Sequence, residues 1–280
     1  MTDPLPIAII LPHAGYRIPP ELSGRVALTE AQVFNEADAY ADQLFDFRDR
    51  VRHWLCFPYA RAVIDVNRLP DVAANRQGDG IVKRRTSYGA PVYLPGQEPD
   101  AALEQALVAR YWQPWHQQLA AVAADEQVRL VIDAHTMAAM GPSQYDDPAQ
   151  ARPRLMLGNW GDANGEQRPG FASPTAPASL MRQWAETMEP LFTDFPLLVE
   201  SGAVVALNHP FYGGADLRLH GGRWQPWIMM EISRALYVGA QDGDTPIVAP
   251  DPWRIAEIRA RLWRGISALA RDFEEVGFLA

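Results

Sequence analysis

The stretch VIDAHTM, residues 131–137, runs three apolar residues into Asp133 and His135. Charge at the end of what reads as a buried strand calls for a reason. A second apolar run, IAIILPH (7–13), ends in the same way on His13. Histidines at the ends of two strands can meet over one edge of a sheet. Two imidazoles and a carboxylate are a known ligand set for a catalytic zinc, which typically takes three protein ligands and keeps one position open. Glu36 and Asp38 are the carboxylates on offer, at the expected start of the first long helix. Each group also has a plainer reading: a hydrogen-bonded, partly buried histidine, or a first-turn acid favoured by the helix dipole. Asp133 can orient His135 from behind, as carboxylates do for metal-bound imidazoles. That holds if the strand stays regular, so that residues two apart share a face; otherwise Asp133 caps a loop.

Glu231 in WIMMEIS (227–233) follows three apolar residues with no polar break. A buried carboxyl is rare and burial raises its pKa, which suits a general base near neutral pH. At an exposed strand end it would be ordinary. ARAVIDVNR (60–68) sets Arg61, Asp65 and Arg68 around one strand, with Asn67 adding an amide. A guanidinium grips a carboxylate with two parallel hydrogen bonds, so these residues are either an anion site or a surface ion-pair set. LNHPFYGGADLRLHGG (207–222) is a glycine-rich loop with Asn208, Gly213, Gly214, Arg218 and His220. Its glycines permit positive φ and close backbone approach, for a substrate or for a turn. His116 and the nine tryptophans read as packing residues.

These residues need elements to position them. Apolar runs predict strands at 7–13, 128–135, 154–160 and 227–233, and a strand or hairpin within 195–208. Residues 54–67 read as a strand, a break at Pro58 and a second strand. Three- and four-residue spacing predicts helices over about 38–51, 99–124 (kinked at Pro114), 179–192 and 253–276. Residues 70–100 are an irregular segment rich in Pro, Gly, Asp and Arg, of the kind that is often functional. Alternating strands and helices predict one α/β domain over residues 1–280. Its central sheet is expected to be mostly parallel or mixed, with helices on both faces. In such sheets ligands lie beyond the carboxyl ends of the strands, where His13, Asn67, Arg68, His135 and Asn208 fall.

Bulk properties narrow the function. The formal net charge of −9 argues against nucleic acid or an anionic membrane as partner, and VKRR (82–85) is the one basic cluster. The single cysteine, Cys56, excludes an intrachain disulfide and a thiolate-rich metal site. The first apolar run is too short for a signal peptide, and none approaches the ~20 residues that span a bilayer. A cytoplasmic protein is expected; the oligomeric state is left open. The sequence has no G-x-S-x-G elbow, P-loop or G-x-G-x-x-G fingerprint.

Eight segments, in order along the chain, resemble the N-formylglutamate amidohydrolase (deformylase) family. They are PHAGYRIP (12–19), EADAYADQLFDF (36–47), ARAVIDVNR, YWQPWHQQL (111–119), DAHTM (133–137), NHPFYGG (208–214), LRLHG (217–221) and MEISRALY (230–237). The resemblance implies a zinc carboxypeptidase-like (phosphorylase/hydrolase-like) fold and one Zn2+ per chain. It implies hydrolysis of the N-formyl or short N-acyl amide of a small anionic amino acid. It makes His13, Asp38 and His135 the metal ligands, with Glu36 as the fallback, and Glu231 the general base. Arg61 stabilises the oxyanion, Asn67 and Arg68 hold the α-carboxylate, and Arg218 meets a second carboxylate. Asn208, Gly213 and Gly214 belong with the substrate contacts. The chain departs from the family pattern at Ala60, Thr136 and Tyr212. Tyr212, where a lysine is usual, favours an N-acyl amino acid or peptide amidase of different specificity. A third reading is a metal-free carboxylate-binding protein. A mixed N/O donor set accepts other divalent metals as well as zinc.

Overall fold

In the computed structural model, which describes residues 3–70 and 79–276, six strands form one sheet. They are β1 (Leu5–Leu11), β2 (Val51–Cys56), β3 (Leu130–Met137), β4 (Leu155–Gly158), β5 (Val205–Leu207) and β6 (Trp227–Ser233). Their order is β2-β1-β3-β6-β4-β5. Every neighbouring pair is parallel except β4 against β6, so the sheet is mixed and mostly parallel. The helices are α1 (Glu30–Glu36), α2 (Ala41–Leu44), α3 (Ala101–Leu107), α4 (Gln113–Ala123), α5 (Ala178–Phe192), α6 (Ala215–His220) and α7 (Pro252–Val276).

Side chains alternate across each strand, and both faces are covered. Ile7, Ile9, Ile132, Ile228 and Met230 pack against Trp184 and Met188 of α5 and against Ile258 and Leu262 of α7. Ala8, Ile10, Val131, Trp227 and Met229 pack the other way, against Trp115, Leu119 and Val122 of α4 and against Val63 and Ile64. Coverage on both faces explains strands that read as unbroken apolar runs. The same period puts Asp133 and His135 on the face of Val131, and Glu231 on the face of Met229. Register then pairs His135 with Glu231 across β3 and β6, and Ile10 with Asp133 across β1 and β3.

Four expectations are corrected. No long helix spans 38–51: α1 ends at Glu36, and Tyr40, at φ 60°, opens the four-residue α2. Asp38 lies between them, with its N–H bonded to His13 O at 3.0 Å and the Tyr237 hydroxyl on Ala39 O at 2.8 Å. Those tertiary bonds hold the chain out of the helix. Helix α1 itself is specified locally, by a capping box between Thr29 and Gln32. The second strand expected after Pro58 is a series of tight turns, with Val63 N and Ile64 N both bonded to Ala60 O. This segment packs on the face of the sheet and does not join its edge. The 195–208 stretch supplies the strand β5, one of the two forms expected there, while the 207–222 loop contains the unexpected α6. The kink expected at Pro114 is a π-helical turn, Val108–Trp112, between α3 and α4. Residues 71–78 of the expected irregular segment lie outside the described residues.

Leu262 is fully buried where α7 seals the sheet. Leu262→Ala should cost about 2–5 kcal/mol, read as a lower urea midpoint at unchanged slope. A loss under ~1 kcal/mol would show that α7 does not close the core.

Candidate active site

His13 follows the end of β1, and His135 and Glu231 are neighbours near the carboxyl ends of β3 and β6. The extended link between α1 and α2 brings Asp38 to the same place. Its Oδ2 lies 2.8 Å from His135 Nδ1 and 3.9 Å from His13 Nδ1, and the two imidazole centroids are 4.9 Å apart. His13, Asp38 and His135 each offer a ligand atom within 4.8 Å of the others, and all three are buried.

The far side of each ring is held by an acid. His13 Nε2 is 2.7 Å from Asp65 Oδ1. Donation to that carboxylate leaves Nδ1 as the lone-pair nitrogen, and Nδ1 is buried with no hydrogen-bond partner. Burial, aided by Arg61, lowers the His13 pKa and keeps the ring neutral. His135 Nε2 lies 2.9 Å from Asp133 Oδ1, an ionic contact too far off the N–H direction to count as a hydrogen bond. Burial works against charge on His135, but Asp133 and Asp38 overcome it and hold its pKa well above the ordinary histidine value. Burial likewise opposes an ionised Asp38, yet its hydrogen bond to His135 and the surrounding positive charge bring it down to about 2. The pocket therefore attracts a cation. An unpaired imidazole nitrogen, a second imidazole, an ionised carboxylate and an acid behind each ring fit a divalent metal with N and O preference.

Glu36, the fallback ligand, is committed elsewhere. It accepts from Lys83 Nζ at 3.2 Å, Ser87 N at 2.9 Å and Ser87 Oγ at 2.5 Å. Glu231 lines a narrow cavity with Asp38, Arg61, Tyr145, Arg152, Phe211 and Arg234. Its Oε2 is buried without a partner, and burial pushes its pKa up to about 7. Arg61 reaches Asp65 Oδ2 at 3.3 Å and keeps its buried Nε unpaired. The cavity measures about 40 Å³. A far larger groove, about 740 Å³, is walled by Tyr16, Leu22, Val26, Phe34 and Ile247. That groove is mostly apolar and includes neither Asp38 nor Glu231, whereas the small cavity is lined by both, with the two imidazoles behind Asp38.

The remaining candidates divide. Asn67 Nδ2 contacts His135 Nε2 at 3.2 Å and Asp133 Oδ2 at 3.3 Å, while its Oδ1 accepts from Asp216 N at 2.8 Å. It orients His135 and anchors α6. Gly214 permits that anchor, since a Cβ there would lie 2.1 Å from Asn67 Oδ1. Gly213, at φ +143°, packs on Trp160. Asn208 spends its amide on Asn159 and Asp162. Arg218 is exposed, its guanidinium over Trp160 and outside the cavity lining. Tyr212 also lies outside that lining, under the Arg168 guanidinium at 3.9 Å. His116 and His220 bond to each other at 2.9 Å, away from the cavity.

Sequence reasoning missed Lys83, Tyr145, Arg152 and Arg234, and saw Asp65 only as a partner for arginine. Arg234 had a usable signal, because it stands just past the end of β6. It donates to the carbonyls of Asn35 and Ala37, which flank the Glu36 peptide unit and lead into Asp38. Arg152 pairs with Asp147 at 2.7 and 2.9 Å, and nothing local in the sequence marks it.

A sequence model of the N-formylglutamate amidohydrolase family matches residues 5–238. An N-formylglutamate deformylase from Pseudomonas aeruginosa is 28% identical over 149 residues, which are 51% of this chain and 56% of that protein. The match thus spans little more than half the length of that relative. The crystal structure of an N-formylglutamate amidohydrolase from Ralstonia eutropha JMP134 superposes with a TM-score of 0.67 at 20% identity, over 96% of this chain and 94% of the other. A gene product of Agrobacterium tumefaciens gives 0.64 at 17% identity, over 96% and 92%. At these identities the two structures speak to the fold.

A carboxyl whose folded pKa is raised stabilises least at high pH. The unfolded chain releases the proton near pH 4.5 and the folded chain near pH 7, so stability falls between those values as pH rises. In chelator-stripped protein, Glu231→Gln should remove a penalty of about 3 kcal/mol at pH 8 and almost none at pH 4. Urea titrations at both pH values measure it; equal effects at the two would exclude burial of Glu231 as the cause.

Proposed function

This chain belongs to the N-formylglutamate amidohydrolase family, and on that footing we propose that it is a zinc-dependent hydrolase. It cleaves the N-formyl or short N-acyl amide of an acidic amino acid, such as N-formyl-L-glutamate, to the free acid and the amino acid. One observation carries the reading: the unpaired Nδ1 of His13 faces His135 and Asp38, beside a cavity that holds the unpaired Oε2 of Glu231. His13, Asp38 and His135 would hold the ion. A divalent metal there supplies Lewis acidity, lowering the pKa of water toward ~7 and polarising the acyl carbonyl.

The chain's own groups do the rest. Glu231 takes a proton from the attacking water, and its raised pKa keeps the transfer reversible. Oxygen bonds to the acyl carbon, and the Arg61 guanidinium meets the developing oxyanion. Glu231 returns the proton to the amide nitrogen as the C–N bond breaks, and formate and the amine leave. Burial makes each such contact worth more than in water. The cavity has room for about one water. An amino-acid-sized substrate therefore displaces its partly exposed wall, which includes Ser87, Tyr145 and Phe211. Arg61, Arg152 and Arg234 line that wall beside Glu36, Asp38 and Glu231, so an anionic substrate would be met by individual guanidinium groups, since the protein as a whole is acidic. Tyr212 packs under the Arg168 guanidinium, and the alternative of a different acyl specificity rests on it.

Metal analysis of purified protein should find about one zinc per chain, and His13→Ala and His135→Ala should lose it. Metal-free wild-type protein that retained full hydrolysis would end the zinc role, and protein with no stoichiometric metal and no hydrolysis would leave the carboxylate-binding alternative. Glu231→Gln should keep the metal and lose roughly 10²–10⁴-fold in kcat. Turnover of N-formyl-L-glutamate, N-acetyl-L-glutamate and an amidated analogue ranks the substrates; wild-type rates in the Gln variant would take the base role from Glu231.

A further inference from the structure

Trp112, Trp115 and His116 share one helical face where the π-helical turn Val108–Trp112 passes into α4. Two of the three donate to the backbone carbonyls of the residues on either side of Asn67. Trp112 Nε1 donates to Arg68 O and His116 Nε2 to Val66 O, each at 2.9 Å. The two rings touch, with centroids 3.9 Å apart. We propose that Trp112 and His116 are positioning residues: together they clamp the turn that carries Asn67, so that its amide stays against His135. The clamp itself requires no metal and no hydrolysis; its effect on a bound ion rests on the function proposed above.

The hydrogen bonds close a circuit. Asn67 holds the start of α6, its main-chain oxygen accepting from Ala215 N at 2.9 Å and its Oδ1 from Asp216 N at 2.8 Å. The far end of α6 is His220, whose Nε2 lies 2.9 Å from His116 Nδ1. His116 returns the path to Val66, the neighbour of Asn67. The tautomers follow from the partners. A carbonyl can only accept, so His116 Nε2 carries the proton, and Nδ1 is left to accept from His220 Nε2. Burial brings the pKa of both rings down to about 4, so both are neutral near pH 7 and this donor pattern is the one present. His220 is fixed in turn by stacking on Trp227, at 5.7 Å and 25°. Trp115 adds a third tie, donating to Asp216 Oδ1 at 3.1 Å.

Two observations favour positioning over plain packing. First, α4 is apolar where it covers the sheet: Leu119 and Val122 pack there with Val131 and Trp227. Its polar rings come where the helix meets residues 66–68 and α6. A buried imidazole costs free energy unless it is hydrogen-bonded, and an aliphatic side chain would cover the turn without that requirement. Second, the clamped turn bears on one of the three residues that would hold the ion. Asn67 Nδ2 lies 3.2 Å from His135 Nε2 and 3.3 Å from Asp133 Oδ2. Groups that orient a ligand from behind tune how tightly it holds a metal.

The test uses the intact chain. Zinc affinity is measured by competition with a chromophoric chelator, and amide exchange of Ala215 and Asp216 is followed in chelator-stripped protein. His116→Leu should weaken zinc binding roughly 10-fold, the low end of the effect expected of such a partner, and should speed exchange at both amides. His116→Gln keeps a donor and an acceptor on one side chain and should restore most of the affinity. Asn67→Ala should lose zinc affinity too, and adding His116→Leu to it should cost nothing more, since both act through one contact. A structural role alone would make the two losses multiply. If the His116 variants do not fold, Trp112→Phe, which removes an N–H and keeps an aromatic ring, carries the same comparison. Unchanged zinc affinity in His116→Leu, losses that multiply, or unaltered exchange at the two amides would each overturn the clamp. A wild-type chain that binds no zinc would end the hydrolase reading, and the exchange rates would then decide the clamp.

Discussion

Everything at the carboxyl end of this sheet answers one constraint: carboxylates have been buried there and each must find a counter-charge. Asp38, Asp65 and Asp133 are at most 2% exposed. Ions taken out of water cost several kcal/mol each unless paired in good geometry. Asp65 is held well below the ordinary carboxylate range against its burial, by His13 and Arg61 first and Arg68 after them. Asp133 and Asp38 share His135. Asp216 meets the same constraint without a cation. Burial and the nearby Asp133 push its pKa well above the carboxylate range, so it keeps its proton and accepts only from Trp115 Nε1 at 3.1 Å.

That charge arrangement explains how loop residues come to be placed with strand-like order. The imidazoles ride on β1 and β3, but Asp38 sits on an irregular link with no regular hydrogen bonding of its own. Arg234 and Tyr237, just past β6, supply the missing donors by binding the carbonyls of Asn35, Ala37 and Ala39. The strand that carries Glu231 thus also carries the residues that locate Asp38. Asn67 ties His135 to the start of α6, and Gly214 gives the room for it. Glu231, the donors that place Asp38 and the supporting amide of Asn67 are coupled at the carboxyl ends of neighbouring strands.

Glu231 is the exception to this pairing. Among the described residues it has no ion-pair partner, and its Oε2 is unpaired, an arrangement that weakens the fold at neutral pH and would suit the base role proposed for it. Stability given up at a reactive centre is a common cost of function.

Much of this was legible in the chain. Unbroken apolar runs located four of the strands, strand-end position singled out His13, His135 and Glu231, and the two-residue period put Asp133 behind His135. These are local properties: a strand's side-chain alternation travels with its sequence. What the chain alone left open was decided at a distance. Asp38 and Glu36 are two residues apart and chemically alike, and only Lys83 and Ser87, folding back from 47 and 51 residues away, take Glu36 out of contention. Likewise Arg152 and Arg234 reach the cavity while Arg218 does not. The side chain of a loop residue points where long-range hydrogen bonds and ion pairs direct it, and no periodicity records those.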